Sequence, residues 1–581
     1  MSSAPVSLRS GRLPAGARQT TSAQVGDITF TVGNFKSIAS ADLMPKRLTL
    51  LAGANSSGKS SLLQALLFLA QSFGESTPVL NGDLVQLGEP RDVLRDETTH
   101  LLFEFRYRAE LDALPGAGGE ADIVLRVVLA AVEGRGALVA DEFALVIDSQ
   151  TVLLARETDI HAGPPVNADE RLFHIDPNPS LGLSDETYLA AVGLLPRRVI
   201  RRADKTALEA AIEASIGMMK DAPMVVAQHY VRMARAVGGH DGLISLLEDA
   251  MRKRQRSEAI SCLVAIGKEH RDALFAVFTA AEAPDGWVSE PIANAPNRGF
   301  PQLFGLEQPG DAARQALVRN LAAARERVGR LARAVTYLGP LRDEPRIAYP
   351  LGHTVRALPV GQKGEFTAAY LQDNYRMRLP FVLPDGTEKT DSLAVATSQW
   401  SDYLGIAEKV SVESRGKLGH QLGLEVGGRK RDPTMIGVGA SQLLPVIVLV
   451  LGAPQGSLVL LEQPELHLHP KVQSRLADFF VKARPDIRIV IETHSEYLVT
   501  RLRRRVAEGE LRPTDVALIF AKLRNDKSDA KSSKSTYTEL RYLAINELGD
   551  FDDWPEDFFD TLGNDAVELA HVIRERLQPS G

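Results

Sequence analysis

A chain of 581 residues carries 67 basic and 74 acidic side chains, for a net charge of −7, with 44% apolar and 24% charged residues. That balance belongs to a soluble globular protein with room for two or more domains, and it excludes a molecule that is basic overall and coats nucleic acid. A single cysteine, Cys262, excludes an intrachain disulfide and any cysteine-based metal cluster, which fits a reducing cytoplasm.

Residues 1–25 are rich in Ser, Ala and Arg and have no uninterrupted apolar region, so they read as a disordered leader and not as a signal or anchor. Two short strands, ITFTV and LTLLA, are predicted around the turn-forming Gly33–Ser37. The second strand breaks at Gly53. Gly53-Ala54-Asn55-Ser56-Ser57-Gly58-Lys59-Ser60 then fills every fixed position of G-x-x-x-x-G-K-[ST], and Ser61–Phe73 continues with apolar residues at helical spacing. Strand, glycine loop and helix in this order predict a loop whose backbone N–H groups turn onto a polyphosphate at the positive end of a new helix. Lys59 would reach the terminal phosphates, and the Ser60 hydroxyl would face Mg²⁺, which prefers oxygen ligands.

The runs LLFEFRYR, IVLRVVLA and FALVID predict antiparallel strands beside this core and complete a first lobe over 26–163. From 164 to 334 helical periodicity dominates and predicts a helical insertion, serving as an arm, a partner platform or added core. A second lobe, 335–525, opens with Tyr337–Arg342 (YLGPLR). Within it LGLEVGG predicts a strand, and IGVGASQLLPVIVLVL a turn leading into a buried helix from Leu443, with Pro445 in its first turn. That apolar run is too short to span a bilayer.

SLVLL predicts a buried strand ending at Glu462-Gln463-Pro464-Glu465-Leu466-His467-Leu468-His469, and IRIVIETHSEYL a second with His494 just past its end. Ligands of open parallel sheets collect at the carboxyl ends of strands, so the phosphate loop, Glu462 and His494 point at one site. VALIFAKL and TYTELRYL predict two closing strands around the Lys- and Ser-rich NDKSDAKSSKS, a surface loop. Residues 526–581 are read as a C-terminal extension whose acidic, aromatic end, with Trp554 and Phe558, suits core packing or docking.

The order GANSSGKSS, GVGASQLLP, LVLLEQPELHLHP, IVIETHS resembles ABC-type ATPase heads of the SMC and OLD-like group, found in DNA repair, segregation and anti-phage defence. NFKSI and YLGPLR look like the same group. The resemblance implies an α/β fold: an ABC/SMC-type P-loop ATPase head with a mixed β-sheet, an inserted helical domain and a small C-terminal α+β extension. It implies ATP and Mg²⁺ as cofactors, with Asn34, Lys36, Gly53, Asn55, Ser56, Ser57, Gly58, Lys59, Ser60 and Ser61 about the nucleotide. Ser60, the Walker B acid Glu462 and a Q-loop residue, Gln86, would be at the metal. Gly439, Ser441 and Gln442 resemble the signature that closes over the ATP of a second subunit, which implies a homodimer formed as an ATP sandwich. His494 resembles the switch histidine.

Gln463 stands where these ATPases generally carry the glutamate that polarises water, and an amide orients water without accepting its proton. Either hydrolysis is slow or Glu465 substitutes as the base, so that Gln463, Glu465 and His494 form the expected catalytic set. No E-G-x-x-D stretch follows His494, and no Asp-x-Asp pair follows it at a Toprim-like place. The expected function is a cytoplasmic nucleotide-gated switch that controls a partner effector, a nuclease or toxin, in phage defence or DNA maintenance. The alternatives are a nuclease-associated repair ATPase and an importer subunit.

Two further features carry alternatives. Basic clusters at Arg197–Arg202, Arg252–Arg256, Arg429–Arg431 and Arg501–Arg505 read as solvated faces one by one, or as a nucleic-acid groove if Arg197, Arg201 and Arg252 converge. Glu465, His467 and His469 have zinc-ligand chemistry, but a turn would splay residues two apart, and the resemblance assigns this stretch to subunit contact.

Overall fold

The computed structural model describes residues 28–574 except 97, 115–116, 133–135, 159–163, 165, 182, 203–204, 220–221, 254, 283–286, 293–310, 353–355, 526–535 and 553–566. The expected leader, the Lys- and Ser-rich loop after Asn525, Trp554 and Phe558 lie outside the described residues.

One sheet of 16 strands runs through the molecule. Its nucleotide end is parallel: β3 (Leu48–Gly53) lies between β19 (Arg488–Glu492) and β20 (Val516–Asn525), and β18 (Leu458–Glu462) and β12 (Val335–Leu338) continue outward from β19. These strands are buried on both faces, so they read as unbroken apolar runs. Leu458 and Leu460 enter one core while Val459 and Leu461 enter the other.

The first core packs α1 (Lys59–Ser72) and α8 (Asp311–Ala334) against β1 (Ile28–Phe35) and β4 (His100–Leu114). In α8, Leu317, Leu321, Ala324, Val328 and Leu331 recur at alternating spacings of four and three and form its buried stripe. The second core, on the opposite face, centres on α11 (Val438–Gly452), which is apolar all round, with α12 (Pro470–Lys482) and α13 (Glu496–Ala507) beside it.

The antiparallel flank extends from β1 through β4, β5 (Ala117–Val132), β6 (Ala137–Ile147) and β7 (Gln150–Glu157). In β4, Leu101, Phe103, Phe105 and Tyr107 point inward while Arg106 and Arg108 point to solvent, the alternation of a sheet covered on one face.

Four expectations need correction. The phosphate-loop approach holds a third strand, β2 (Ile38–Leu43), paired back on β1 across the Phe35–Ile38 turn. The stretch from 164 does not open as helix. β8 (Arg171–Ile175), β9 (Thr187–Val192) and β10 (Leu195–Arg202) prolong the flank, followed beyond the arm by β11 (Trp287–Pro291). Only α3 to α7, within 205–282, form the helical arm, with its own small core around Tyr230, Leu247 and Phe278. Third, the closing segment is no separate extension, because β21 (Thr536–Leu543) pairs with β20 over eight residues and bridges to β2 inside the main sheet. Fourth, α11 starts at Val438, so Pro445 sits in its interior. Gly364 lies against the proline ring so closely that a Cβ would collide with it.

Candidate functional site

The strand order places β19 between the phosphate-loop strand and β18, so three strand ends face one cleft. A cavity of about 300 Å³ there is lined by Asn55 to Ser61 of the loop, with Ser37, Gln64, Gln463, Glu492 and His494. The structure thus brings the phosphate loop together with Gln463 and His494, residues more than 400 positions away.

Two closing strands fix the loop's shape. Gly53 has φ 136° and lies against the Ala521 carbonyl of β20; Gly58 has φ 94° and lies against Thr538 of β21, where any Cβ would collide. Thr538 in turn shares a 2.7 Å hydrogen bond with Ser37. Both glycines therefore answer to backbone packing as well as to phosphate approach.

Lys59 is buried and donates from Nζ to the carbonyls of Gly53 (3.1 Å) and Ala54 (2.7 Å). Burial holds its ammonium below the ordinary lysine value, opposed by Glu492. Ser60 Oγ donates to Glu492 Oε1 at 2.9 Å. Glu492 is only 3% exposed, and its second oxygen, Oε2, has no hydrogen-bond partner. A hydroxyl beside a buried carboxylate with an orphaned oxygen is a donor set that fits an oxygen-seeking cation bridging to phosphate. Among the described residues no cluster of three metal-ligating side chains exists, so phosphate and water would complete the shell.

Glu462 is set back from this contact. It is the register partner of Glu492 on the next strand, its Oε1 accepts from the Tyr337 hydroxyl at 2.6 Å, and Arg342 donates to its main-chain carbonyl at 3.1 Å. Burial lifts the Glu462 carboxyl to about 7; the Tyr337 hydroxyl opposes this and Glu492 adds to it. YLGPLR thereby acquires a physical role, since its Tyr337 and Arg342 hold the acidic strand end. The acid beside Ser60 is Glu492, which sequence reasoning passed over.

Gln463 has φ 44°, and its N–H donates to the Glu492 carbonyl at 2.8 Å. Seven non-glycine residues have positive φ among those described, and two of them, Ser56 and Gln463, line this cavity. Glu465 does not line the cavity. Its Oε1 accepts from the His494 N–H at 2.7 Å, so it braces the histidine turn, and burial raises its carboxyl. That corrects its expected place among groups facing the nucleotide. His494 does line the cavity, with its imidazole held below the usual value by burial and then by Lys59.

The remaining expected residues divide. Lys36 reaches Gln64 Oε1 at 2.7 Å, and Asn34 donates to the His100 carbonyl at 3.2 Å; neither lines the cavity. Gln86 is exposed, bridged to Asn81, and outside the cavity, so the structure does not bring it to Ser60. Gly439, Ser441 and Gln442 occupy the first turn of α11, likewise outside this chain's own phosphate cavity. His469 caps α12 by accepting from the Lys471 N–H, which accounts for it without a metal.

The basic clusters are largely consumed by ion pairs. Arg198 pairs with Glu170 (2.6 Å), Arg201 with Glu290 (3.4 Å) and Arg252 with Glu248 (3.1 Å), while Arg202 stacks on Trp287. Arg501 and Arg505 converge on Asp478. The expected groove of Arg197, Arg201 and Arg252 does not form as an open surface of unpaired charge, because two of the three serve carboxylates of their own chain. No helix among the described residues is long and apolar enough to cross a membrane.

Residues 48–123 and 426–500 match the model of the family described as "AAA domain, putative AbiEii toxin, Type IV TA system". No curated protein matches the sequence. Among solved structures, an SmcHead bound to the C-winged helix domain of ScpA is 11% identical, with TM-score 0.32, over 89% of this chain and 98% of that one. An Smc head domain with an extended coiled coil from Pyrococcus furiosus is 10% identical, with TM-score 0.31, over 94% and 98%. The SMC head domain from Thermotoga maritima is 9% identical, with TM-score 0.30, over 89% and 98%. Likeness at this level carries no argument, and the fold stands on its own strand order.

Proposed function

For a chain whose residues 48–123 and 426–500 match an AAA domain, we infer a nucleotide-gated switch: ATP with Mg²⁺ closes two copies into a sandwich, hydrolysis is slow, and the closed state controls a partner effector. The observation that carries this reading is Gln463, which lines the phosphate cavity in a strained left-handed conformation at the position where a base is expected. Its amide orients an in-line water but takes no proton. Ser60 and Glu492, backed by Glu462, hold Mg²⁺; Lys59 leaves its two loop carbonyls for the terminal phosphates. Gly439, Ser441 and Gln442, which do not line their own chain's cavity, are assigned to the nucleotide of the second copy. The description of the matched family sets an AAA domain in a toxin–antitoxin context, which supports a toxin as the effector.

The test is steady-state phosphate release beside sizing in ATP, for the parent and Gln463→Glu. A positioned base contributes about 10²–10⁴-fold, so the variant should turn over faster by up to that factor and its dimer should be shorter-lived. Brisk turnover by the parent, unchanged in Gln463→Glu, would place the base elsewhere and end the latch reading.

A further inference from the structure

A second cavity, of about 380 Å³, lies at the far end of the phosphate-loop helix, between the residues that follow α1, the turn joining β9 to β10, and α8. Phe73, Leu194, Leu195 and Ile292 give it an apolar wall, and Arg197 of β10 and Arg325 of α8 also line it. Since α1 has 14 residues, about 21 Å separates this cavity from the phosphate loop.

Arg198, Arg201 and Arg252 each have a carboxylate, but among the described residues neither Arg197 nor Arg325 forms an ion pair. Arg325 spends one N–H on the Ile292 carbonyl at 3.2 Å, out of five donors. Glu326 and Arg333 also line the cavity and pair with each other at 3.1 Å, while Glu170 is engaged by Arg198. Burial, and then the like charge of Arg197, hold the Arg325 guanidinium below its ordinary value, against the opposing charge of Glu326. Two guanidinium groups repelling each other in one cavity are costly to keep, and the cost disappears when an oxyanion lies between them.

We propose that this cavity binds a small phosphorylated organic molecule, its phosphate held by Arg197 and Arg325 and its organic part against the wall formed by Phe73, Leu194, Leu195 and Ile292. The planar forks of arginine match phosphate oxygens, and the volume falls in the range of small-ligand sites. This site is independent of the ATP cavity and of the switch inferred for it.

The experiment uses full-length protein carrying Lys59→Ala, which silences the phosphate loop, titrated with inorganic phosphate and with AMP by calorimetry and thermal melting. Both probes should bind, AMP about tenfold more tightly through the wall, and each should raise the melting temperature. Adding Arg325→Met should weaken binding at least tenfold, the value of one charge-assisted hydrogen bond. Without probe that protein should melt no lower than its parent, because a repulsion is removed; a merely structural arginine would lower it. Arg197→Met should weaken binding in the same way. Absence of binding by either probe, or binding that survives both substitutions, overturns the proposal. Equal affinity for the two probes overturns the role given to the wall.

Discussion

The nucleotide end of the sheet and its paired-charge periphery treat buried charge in opposite ways. At the nucleotide end, Lys59, Glu462, Glu465 and Glu492 are all less than a tenth exposed, and their hydrogen bonds run to carbonyls, hydroxyls and one backbone N–H. None of them forms an ion pair among the described residues. Around the flank, the arm and the α12–α13 pair, charges are matched with near regularity: Glu104 with Arg126, Glu170 with Arg198, Glu248 with Arg235, Asp478 with Arg501 and Arg505. An uncompensated buried charge is expensive. Where such groups also line the cavity, as Lys59 and Glu492 do, they are reserved for a ligand, whereas the paired charges hold the fold.

The contrast breaks most visibly at Lys59. If its ammonium is reserved for phosphate, Lys59→Ala removes about two charge-assisted hydrogen bonds to the nucleotide, so ATP affinity should fall on the order of 10³-fold, about 4 kcal/mol. The fold should survive, because only two loop carbonyls lose a donor. Calorimetry with ATP measures the first statement and thermal melting the second. Unchanged affinity would make Lys59 a structural buried lysine and remove the basis of the ATP reading.

Glu492→Gln gives a smaller and sharper effect. The amide keeps the size of the side chain and an oxygen for the Ser60 hydroxyl, but it loses the charge that a cation needs. Phosphate release at saturating ATP should drop by about 30- to 100-fold, with more Mg²⁺ required for half-maximal rate. An unaltered Mg²⁺ titration would return the metal to Glu462 alone.

How far each region could be read from residues follows from the same physics. A doubly buried parallel strand is a continuous apolar run, and a phosphate loop needs fixed glycines, so β3, β18 and β19 and the loop between β3 and α1 are all visible in order. Glu462 and His494 stand out because each ends or follows such a run. Glu492 ends one too, but it stands two residues before a recognisable histidine and looks like part of that motif. Only the strand order, which puts β19 next to β3, carries its carboxylate to Ser60. On the flank, RLFHI and LPRRVIRR are short alternations next to long helical stretches, and a wide periodicity window absorbs them. Long-range pairing with β7 and β11 makes them strands, and a local pattern contains none of that. The fate of Arg198 and Arg201 was likewise hidden, because their carboxylates are contributed from 28 and 89 residues away.

The smallest predicted effect tests the paired side. Asp478 in α12 is 1% exposed and accepts from Arg501 (2.8 Å), Arg505 (2.6 Å) and the Tyr403 hydroxyl (2.5 Å). Burial alone would raise its carboxyl, but the hydrogen bonds from Arg501, Arg505 and Tyr403 outweigh burial and hold it at about 2. A carboxylate whose folded value lies below its unfolded value of about 3.9 adds stability that is fully present above that value and lost as pH falls through the folded one. The window is therefore about pH 4 down to about pH 2. Both arginines keep some solvent contact, so screening reduces the contribution to about 1–2 kcal/mol. Thermal melting of the parent and Asp478→Asn at several pH values measures it: the variant should melt lower at pH 6, and the gap should narrow steadily below pH 4. A gap that stays constant to pH 2.5 would mean that Asp478 holds α12 and α13 by shape and not by charge, and the paired periphery would then no longer be the fold's electrostatic anchor. The opposite result at the nucleotide end, where Glu492→Gln should leave the melting temperature nearly unmoved while turnover falls, would complete the separation of charges kept for folding from charges kept for a ligand.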